Sequence, residues 1–434
     1  MATPHGSHHA RRPPGRGLLH QCSDADGLRA ALAAGRRVTS CIGFDPTATS
    51  LHVGSLLQIT MLVRLARAGH RPIAVVGGAT GLIGDPSGKS AERTLLTRER
   101  LDENLAGIRG QLAKYLDLDG GAALLVDNAS WFASMNVLDF LRDVGKHFSV
   151  NAMIARDTVR DRLEKREQGI SYTEFSYMLL QAYDFLALYD RHGCTLQIGG
   201  SDQWGNIVSG ADLIRRMRGV EAFALTTPLV TRADGVKFGK TESGTVWLDP
   251  ARTSPYELFQ FFINTADDDV EKLLKYLTFE PLEAIAAALA EHAQDPGRRA
   301  PQRLLAESVT RFVHGADALA RAHKTTEVLF GGGDWSELSA AELDAGMRSA
   351  PSHTLPRAAL GTPEALLLNQ LAGEGRPFKS KTEARGFIER GAVSINNVVC
   401  TDPKRTLVEG DLLGGGFAVI RKGKRHYHVV RVEG

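Results

Sequence analysis

Pro72-Ile73-Ala74-Val75-Val76 runs without a break into Gly77-Gly78-Ala79-Thr80-Gly81-Leu82-Ile83-Gly84-Asp85-Pro86-Ser87-Gly88, and this apolar run emptying into a glycine-rich loop decides the fold. A short continuous apolar run bounded by turn residues reads as a strand buried on both faces. The pattern recurs on either side. Val38 to Phe44 reads as a buried strand that stops at the turn Asp45-Pro46-Thr47, and Leu51 to Arg67 then sets Leu56, Thr60 and Val63 on one helical face with Arg64 and Arg67 outside. Further on, Thr195 to Ile198 feeds Gly199-Gly200-Ser201-Asp202. Strand, loop and helix in repetition predict an α/β domain with a doubly wound, Rossmann-like parallel sheet. Ligands of such sheets bind beyond the carboxyl ends of the strands, where these loops fall.

Outward from this core the chain divides by pattern. The first sixteen residues carry His5, His8, His9, Arg11, Arg12 and Arg16 without an acid, and they lack the apolar centre of a secretory signal. They are expected to be a disordered tail, residues 1–16, ahead of an α/β domain over 17–250 whose first helix is Asp26 to Ala34. Ser254-Pro255-Tyr256-Glu257 is a capping box with proline at the first helical position, opening an all-helical stretch over 251–330. Residues 331–363 collect Gly, Ser, Pro and Ala and read as a linker. Residues 364–434 read as a small α+β module ending in a hairpin, Phe417 to Val432, turned near Lys422-Gly423.

Composition bounds the function. The chain of 434 residues is 43% hydrophobic with a formal charge of +2, an ordinary globular balance. Charge is unevenly spread: Arg376 to Gly434 holds twelve Lys or Arg against six Asp or Glu, which makes this end the candidate polyanion binder. Cys22, Cys41, Cys194 and Cys400 show no C-x-x-C spacing, so neither a disulfide framework nor a structural zinc site is expected, and a reducing cytoplasm fits. No uncharged apolar run approaches the ~18 residues of a membrane span.

Several motifs carry chemistry. The loop from Gly77 to Ser90 lets backbone N–H groups approach phosphate closely, and Lys89 adds charge. It is not a P-loop, because the place five residues before Gly88 is Ile83 and the nearest glycine, Gly84, is one residue too close. Glycines at 77, 78, 81 and 84 also break the G-x-G-x-x-G spacing of nicotinamide enzymes. His52-Val53-Gly54-Ser55 sits at a strand-to-helix junction, where unpaired N–H groups and the positive end of the helix dipole favour an anion and an imidazole can donate to a phosphate oxygen. Gly54 leaves room for a flat base. Lys237 and Lys240 lie among Gly235, Gly239 and Gly244, in a loop that could close two ammonium groups over a triphosphate. Tyr177, Gln181 and Asp184 fall on one face of a helix from Thr173 to Tyr189 that is otherwise rich in Phe175, Met178, Leu179, Leu180 and Leu186. Each motif also has a plain reading: a tight turn, a satisfied helix-start histidine, a solvated basic loop, a helix with a few buried hydrogen bonds.

Taken together, His52-Val53-Gly54-Ser55 and Lys237-Phe238-Gly239-Lys240-Thr241 resemble the two ATP-handling motifs of class I aminoacyl-tRNA synthetases. Gly43-Phe44-Asp45-Pro46-Thr47, the loop from Gly77 to Gly88, and Gln197-Ile198-Gly199-Gly200-Ser201-Asp202-Gln203-Trp204-Gly205-Asn206 narrow the resemblance to bacterial tyrosyl-tRNA synthetases, from about Gly17 to the C-terminus. The resemblance implies attack of the tyrosine carboxylate on the α-phosphate of ATP, release of pyrophosphate, and transfer of the tyrosyl group to the terminal ribose of tRNA(Tyr). It assigns Thr47, His52, Lys237, Lys240 and Thr241 to stabilising charge on the phosphates, with Mg2+ carried by the nucleotide. It assigns Gly43, Gly54, Ser55, Gly200, Asp202 and Lys240 to ATP. Tyr177, Gln181 and Asp85 would hold the tyrosine ammonium group, Asp184 would accept a hydrogen bond from the phenol, Gln203 would lie near the tyrosine carboxylate, and Asp45 would also belong to the tyrosine site. A carboxylate buried to receive a phenol is left unpaired by phenylalanine, which is the accepted account of selectivity in this family.

Two positions depart from the family pattern. Cys41 stands where a tyrosine usually gives the phenol a second partner, and a thiol is a smaller and weaker donor. Ser55 replaces the usual second histidine of the first motif. In the basic end, Phe378-Lys379-Ser380-Lys381-Thr382-Glu383-Ala384-Arg385 and Gly391-Ala392-Val393-Ser394-Ile395-Asn396 resemble a small RNA-binding module of a ribosomal small-subunit protein. Lys379, Lys381 and Arg385 at helical spacing would meet phosphates, with Arg421, Lys422, Lys424 and Arg425 extending the patch. The helical stretch would serve the anticodon arm. The resemblance further implies a cytoplasmic homodimer, for which the stretch Trp131 to Val144 is the expected interface. Rival readings are a paralogue with altered aromatic specificity, motivated by Cys41, and a noncatalytic RNA-binding protein built on a degenerate synthetase.

Overall fold

A computed structural model describes residues 15–85, 96–156, 159–160, 163–164, 169–231, 233, 235, 238–241, 244–331, 333–348, 350–414, 416–423 and 426–434, without the side chains of residues 240, 241, 331 and 336. The described residues form two compact units, one running to Asp249 and including Ala266–Pro301, the other made of Pro250–Thr265 and Gln302–Gly434.

The first unit is built on a six-stranded sheet: β1 (Gln21–Cys22), β2 (Thr39–Phe44), β3 (Arg71–Val76), β4 (Leu124–Asp127), β5 (Cys194–Gly200) and β6 (Phe223–Thr227). The spatial order is β1-β6-β5-β2-β3-β4. All neighbours run parallel except β1, which pairs antiparallel with β6 at the edge. The chain moves from β2 toward β4 and then restarts on the other side of β2 with β5. That reversal leaves a crevice beyond the ends of β2 and β5, between Gly43-Phe44 and Gly199-Gly200. The central strands are almost wholly buried, as a parallel sheet covered on both faces requires.

Helices fix the crevice walls. Tyr172–His192 is capped by Ser171, whose side chain accepts from the Glu174 N–H, and it ends on Gly193 in the left-handed region with Arg191 and His192 in its last turn. Its apolar stripe, with Phe185 and Ala182 at 0% exposure, packs in a core shared with Ile73, Trp131, Leu213 and Ile214. Leu56–Arg67 buries Leu56, Leu57, Ile59 and Leu62 and leaves Arg64 and Arg67 in its last turn. Those guanidinium groups stack over Phe279 at 4.8 and 3.9 Å. Arg64 also donates to the Thr278 carbonyl, and Arg16 donates to the carbonyls of Lys275 and Thr278 at 3.3 Å each. The unpaired carbonyls ending the helix Asp267–Leu277 thus find two cations. Arg16, expected in the disordered tail, is ordered for that reason.

The second unit carries a five-stranded sheet of β9 (Ser352–Pro356), β10 (Val393–Ile395), β11 (Val398–Cys400), β12 (Phe417–Lys422) and β13 (His426–Glu433), in the order β11-β10-β12-β13-β9. The hairpin from Phe417 to Val432 is there, with β12 registered so that Ile420 faces His428. Residues 331–363 differ from the linker expected of them. They hold the helix Ala340–Met347, with a Ser339–Glu342 capping box, and β9, which pairs parallel to β13. A parallel edge strand has no turn to announce it, and its partner lies far along the chain. The helices of the stretch 251–330 divide between the units, with Pro255–Ile263 in the second and Asp267–Leu277 and Leu282–Gln294 in the first.

One helix decides where the first motif sits. Arg98–Leu112 turns Asn104, Gly107 and Gln111 toward the loop before His52. The Asn104 amide donates to the Pro46 carbonyl at 2.8 Å, while Gln111 accepts from the Leu51 N–H at 2.7 Å and donates to Ser50 Oγ at 2.9 Å. Gly107 lets the backbones meet, since a Cβ there would lie 2.0 Å from the Thr49 carbonyl oxygen. Gly107→Ala is therefore expected to cost about 1–3 kcal/mol, whereas Gly110→Ala, on the same helix with nothing within 4 Å, should gain roughly 0.5–1 kcal/mol. Denaturant midpoints of the two variants check this, and equal signs would refute it.

Candidate active site

The crevice is a cleft of about 310 Å³ lined from four directions. The ends of β2 and β5 bring Gly43, Asp45 and Gln197 to Gly200, the first motif brings His52, Gly54 and Ser55, the glycine-rich loop brings Thr80 and Asp85, and the helix Tyr172–His192 brings Tyr177, Gln181 and Asp184. Asp202 and Gln203 enter from the single turn Ser201–Gln203. Sequence positions scattered from 43 to 203 thus converge, as the strand order requires.

Hydrogen bonds tie the helix Tyr172–His192 to the glycine-rich loop through Gln203 and to the turn after β2. Gln203 donates to Asp85 Oδ2 at 2.7 Å and accepts from Gln181 Nε2 at 3.2 Å. Asn206 donates to Gln181 Oε1 at 2.9 Å, and the Tyr177 hydroxyl approaches Asp45 Oδ1 at 3.4 Å. One rim of the cleft is therefore rich in carboxylate and amide oxygens, a suitable cradle for an ammonium group.

At the floor lies Asp184. Its Oδ1 accepts from the Trp131 indole N–H at 2.8 Å and its Oδ2 from Asn128 Nδ2 at 3.1 Å. Burial is the dominant influence and raises its pKa to about 7, against the two hydrogen bonds, which lower it; the nearby carboxylates of Asp45 and Asp127 raise it further. Asn128 does more than hold the carboxylate. Its Oδ1 accepts from the Ala79 N–H at 2.8 Å and its Nδ2 reaches Thr80 Oγ1 at 2.8 Å, tying the glycine-rich loop to the floor. The neighbouring Asp127 accepts from the N–H groups of Gly78 and Ala129 and pairs with Arg109 at 2.6 Å. Sequence reasoning missed Asn128 and Trp131. The available signal was position: Asp127-Asn128 directly follows the apolar run of β4, where the switch-point rule places ligand-side residues.

The two motifs meet through their backbones. The Val53 N–H donates to the Val246 carbonyl and the Val246 N–H to the Gly239 carbonyl, each at 3.0 Å, and His52 bridges to Trp247. Gly239 has φ 88°, and a Cβ there would fall 2.4 Å from Val53 Cγ2, so glycine is the residue that allows this contact. His52 caps the turn Val53–Ser55: its Nδ1 accepts from the Gly54 N–H at 3.0 Å. The ring hydrogen therefore sits on Nε2, as a donor. Lys237 lies outside the described residues, as do Lys89, Lys424 and Arg425. Of Lys240 and Thr241 the backbone forms β7 (Lys240–Thr241), paired with β8 (Gly244–Thr245).

Two expected site residues do not line the cleft. Thr47 is exposed on the turn after Pro46, and Cys41 is 1% exposed, packed behind the wall with Ile73, Trp131, Phe185 and Cys194. Burial pushes the Cys41 thiol well above its usual range, helped by a hydrogen bond with Cys194. In the second unit, Lys381 and Arg385 are exposed on the helix Lys381–Glu389, while Lys379, also exposed, stands before its cap Ser380. Lys422 donates to the Pro377 carbonyl at 2.9 Å and lies 4.1 Å from the Phe378 ring centre. Among the described residues no group of three or more His, Cys, Asp or Glu is placed to hold a metal ion.

Comparison with known proteins agrees with this geometry. Residues 33–331 match the family of tRNA synthetases class I (W and Y), and residues 342–430 match the Tyrosine--tRNA ligase SYY-like C-terminal domain. The tyrosine--tRNA ligases of Roseiflexus castenholzii and Geobacillus stearothermophilus are each 51% identical over 419 residues, covering 96% of this chain and 97% of theirs. A C-terminally truncated mitochondrial tyrosyl-tRNA synthetase of Aspergillus nidulans superposes with a TM-score of 0.64 at 32% identity, over 73% of this chain and 92% of its own.

The state of Asp184 has a consequence for stability. A carboxyl whose folded pKa is raised to about 7 binds more protons folded than unfolded between about pH 4 and 7. Its contribution favours the folded state below the unfolded pKa and is lost as pH rises through about 7. The unliganded protein should lose stability from pH 5 to pH 8 by an amount that Asp184→Asn lacks. Denaturant midpoints across that range test this, and identical slopes for the two proteins would refute it.

Proposed function

Because the chain belongs to the tyrosyl-tRNA synthetases of class I and is a tyrosine--tRNA ligase that uses ATP, we propose that the cleft beyond β2 and β5 is where tyrosine is activated. The observation that carries this reading is Asp184, a buried carboxylate at the cleft floor with both oxygens oriented by neighbouring donors. It accepts a hydrogen bond from the phenol hydroxyl. Asp85, Gln181 and Tyr177 receive the substrate ammonium group, Asp45 and Gln203 support them, and the tyrosine carboxylate then faces the first motif.

Activation needs no protein nucleophile. A carboxylate oxygen of tyrosine attacks the α-phosphorus of ATP, the bond to the bridging oxygen breaks, and pyrophosphate leaves with its Mg2+. Catalysis is positioning plus stabilisation of phosphate charge. The Nε2–H of His52 donates to phosphate, Gly43, Gly54 and Gly200 leave room for the nucleotide, and Ser55 and Asp202 face the ribose. Lys237, Lys240 and Thr241 join Thr47 over the triphosphate; their roles rest on the motif. In the second step a terminal ribose hydroxyl of tRNA(Tyr) attacks the tyrosyl carbonyl carbon and AMP departs.

The remaining parts serve the nucleic acid and assembly. Lys379, Lys381 and Arg385 meet RNA phosphates, supported by their exposure in a basic module, and the helices between 251 and 330 serve the anticodon arm. Val137, Leu138, Leu141, Val150 and Ile154 are 42–72% exposed, an apolar patch that suits a homodimer interface. Trp131, by contrast, is used inside the unit. The working compartment is the cytoplasm; no described helix is long and apolar enough to cross a membrane.

Amino-acid-dependent exchange of labelled pyrophosphate into ATP tests the reading. Tyrosine should support exchange, and His52→Ala should lower kcat by about 10²-fold with little change in the KM for tyrosine. Exchange with phenylalanine at a comparable rate would favour an enzyme of altered aromatic specificity, and no exchange with any amino acid a noncatalytic RNA binder.

A further inference from the structure

The cleft contains a second polar side chain at the depth of Asp184 that no role above uses. Gln197 sits in β5, lines the cleft and is 6% exposed. Its Oε1 is enclosed and has no hydrogen-bond partner. No bond within the protein commits the oxygen end of this amide to a partner, and the side chain lines the cleft, so its amide is available to a ligand there. No bond to Oε1 fixes the orientation of the amide, and an amide can present either end by a half-turn of its terminal bond.

Its position in the sheet says which part of the ligand it meets. In the β2–β5 ladder Gln197 is registered with Cys41, so the two side chains stand on the same face, the face covered by the helix that bears Asp184. Ala182 and Phe185, on either side of Asp184 in that helix, pack in the same core as Cys41, and Asp184 and Gln197 both line the cleft. Gln197 therefore approaches the floor of the cleft. Cys41 itself turns its thiol toward Cys194 and leaves the floor to its neighbour.

A phenol has one proton to give and two lone pairs to receive. In its ionised form Asp184 accepts the phenol's hydrogen bond and has none to give back. Resting on the assignment of this cleft to tyrosine, we infer that Gln197 is a specificity-determining residue that donates its amide N–H to the phenol oxygen, the bond for which this chain has a cysteine at position 41. The pair reads the hydroxyl from both sides. Phenylalanine would offer the amide N–H no acceptor.

Equilibrium dialysis with labelled tyrosine, and phenylalanine as competitor, separates this role from a structural one. Gln197→Met keeps the length of the side chain and removes the amide. It should weaken tyrosine binding about five- to tenfold and leave the inhibition constant of phenylalanine within about twofold. Gln197→Leu, similar in volume and without any donor, should shift the same ratio in the same direction, which keeps the test open if the methionine variant does not fold. Equal losses for both amino acids, or no loss for tyrosine, would overturn the inference. Asp184→Asn serves as the control for the cleft: if it binds tyrosine as the wild type does, the assignment of the cleft fails, and the role of Gln197 with it.

Discussion

The buried carboxylate of Asp184 sets the terms for the rest of the catalytic unit. A charge taken out of water must be paired or hydrogen-bonded, and neither donor comes from its own helix. Trp131 and Asn128 come from the turn after β4, at the far edge of the sheet. To bring them in, the helix Tyr172–His192 must lie against β3 and β4 as well as against β5, and the shared core of Ile73, Trp131, Phe185 and Leu213 is what holds it there. Asn128 passes the constraint on, because the same amide binds Ala79 and Thr80. The floor of the cleft and the glycine-rich loop thus form one hydrogen-bonded piece.

The surroundings of the two motifs are organised differently, by close approach of backbones. Gly107 allows the helix Arg98–Leu112 to press on Thr49, and Gly239 allows the second motif to press on Val53. Around each contact, hydrogen bonds finish the job: Asn104 and Gln111 on the loop before His52, and the Val53–Val246–Gly239 ladder behind it. Glycine here is a spacing device, and a methyl group is enough to disturb it. The side chains that act on substrate are few, and most of the surrounding sequence is spent on holding short loops at fixed separations.

Legibility followed the range of the interaction. The strands β2, β3 and β5 and the helix bearing Tyr177, Gln181 and Asp184 were readable because burial on two faces gives unbroken apolar runs and helical spacing is local. The five-stranded sheet was half readable. Its hairpin announces itself by alternation, while β9, paired parallel to β13 across many residues, left only a short polar-flanked run in a stretch that reads as a linker. Arg16 was assigned to a tail for the same reason: what orders it is the carbonyl end of a helix beginning at Asp267.

The sequence by itself determined the class of fold, the order of strand, loop and helix, and the polar residue types that the cleft gathers, because each of these is written in spacing or in short motifs. Only the tertiary structure decided which strands are neighbours, and therefore that Asn128 and Trp131 hold Asp184, that the motifs of residues 52–55 and 237–241 share a backbone ladder at Val53, Val246 and Gly239, and that Cys41 stands behind the cleft wall while Gln197 stands in it. Those are contacts between segments far apart in the chain. No local pattern encodes them, since they follow from the register of parallel strands and from how closely two backbones can pack.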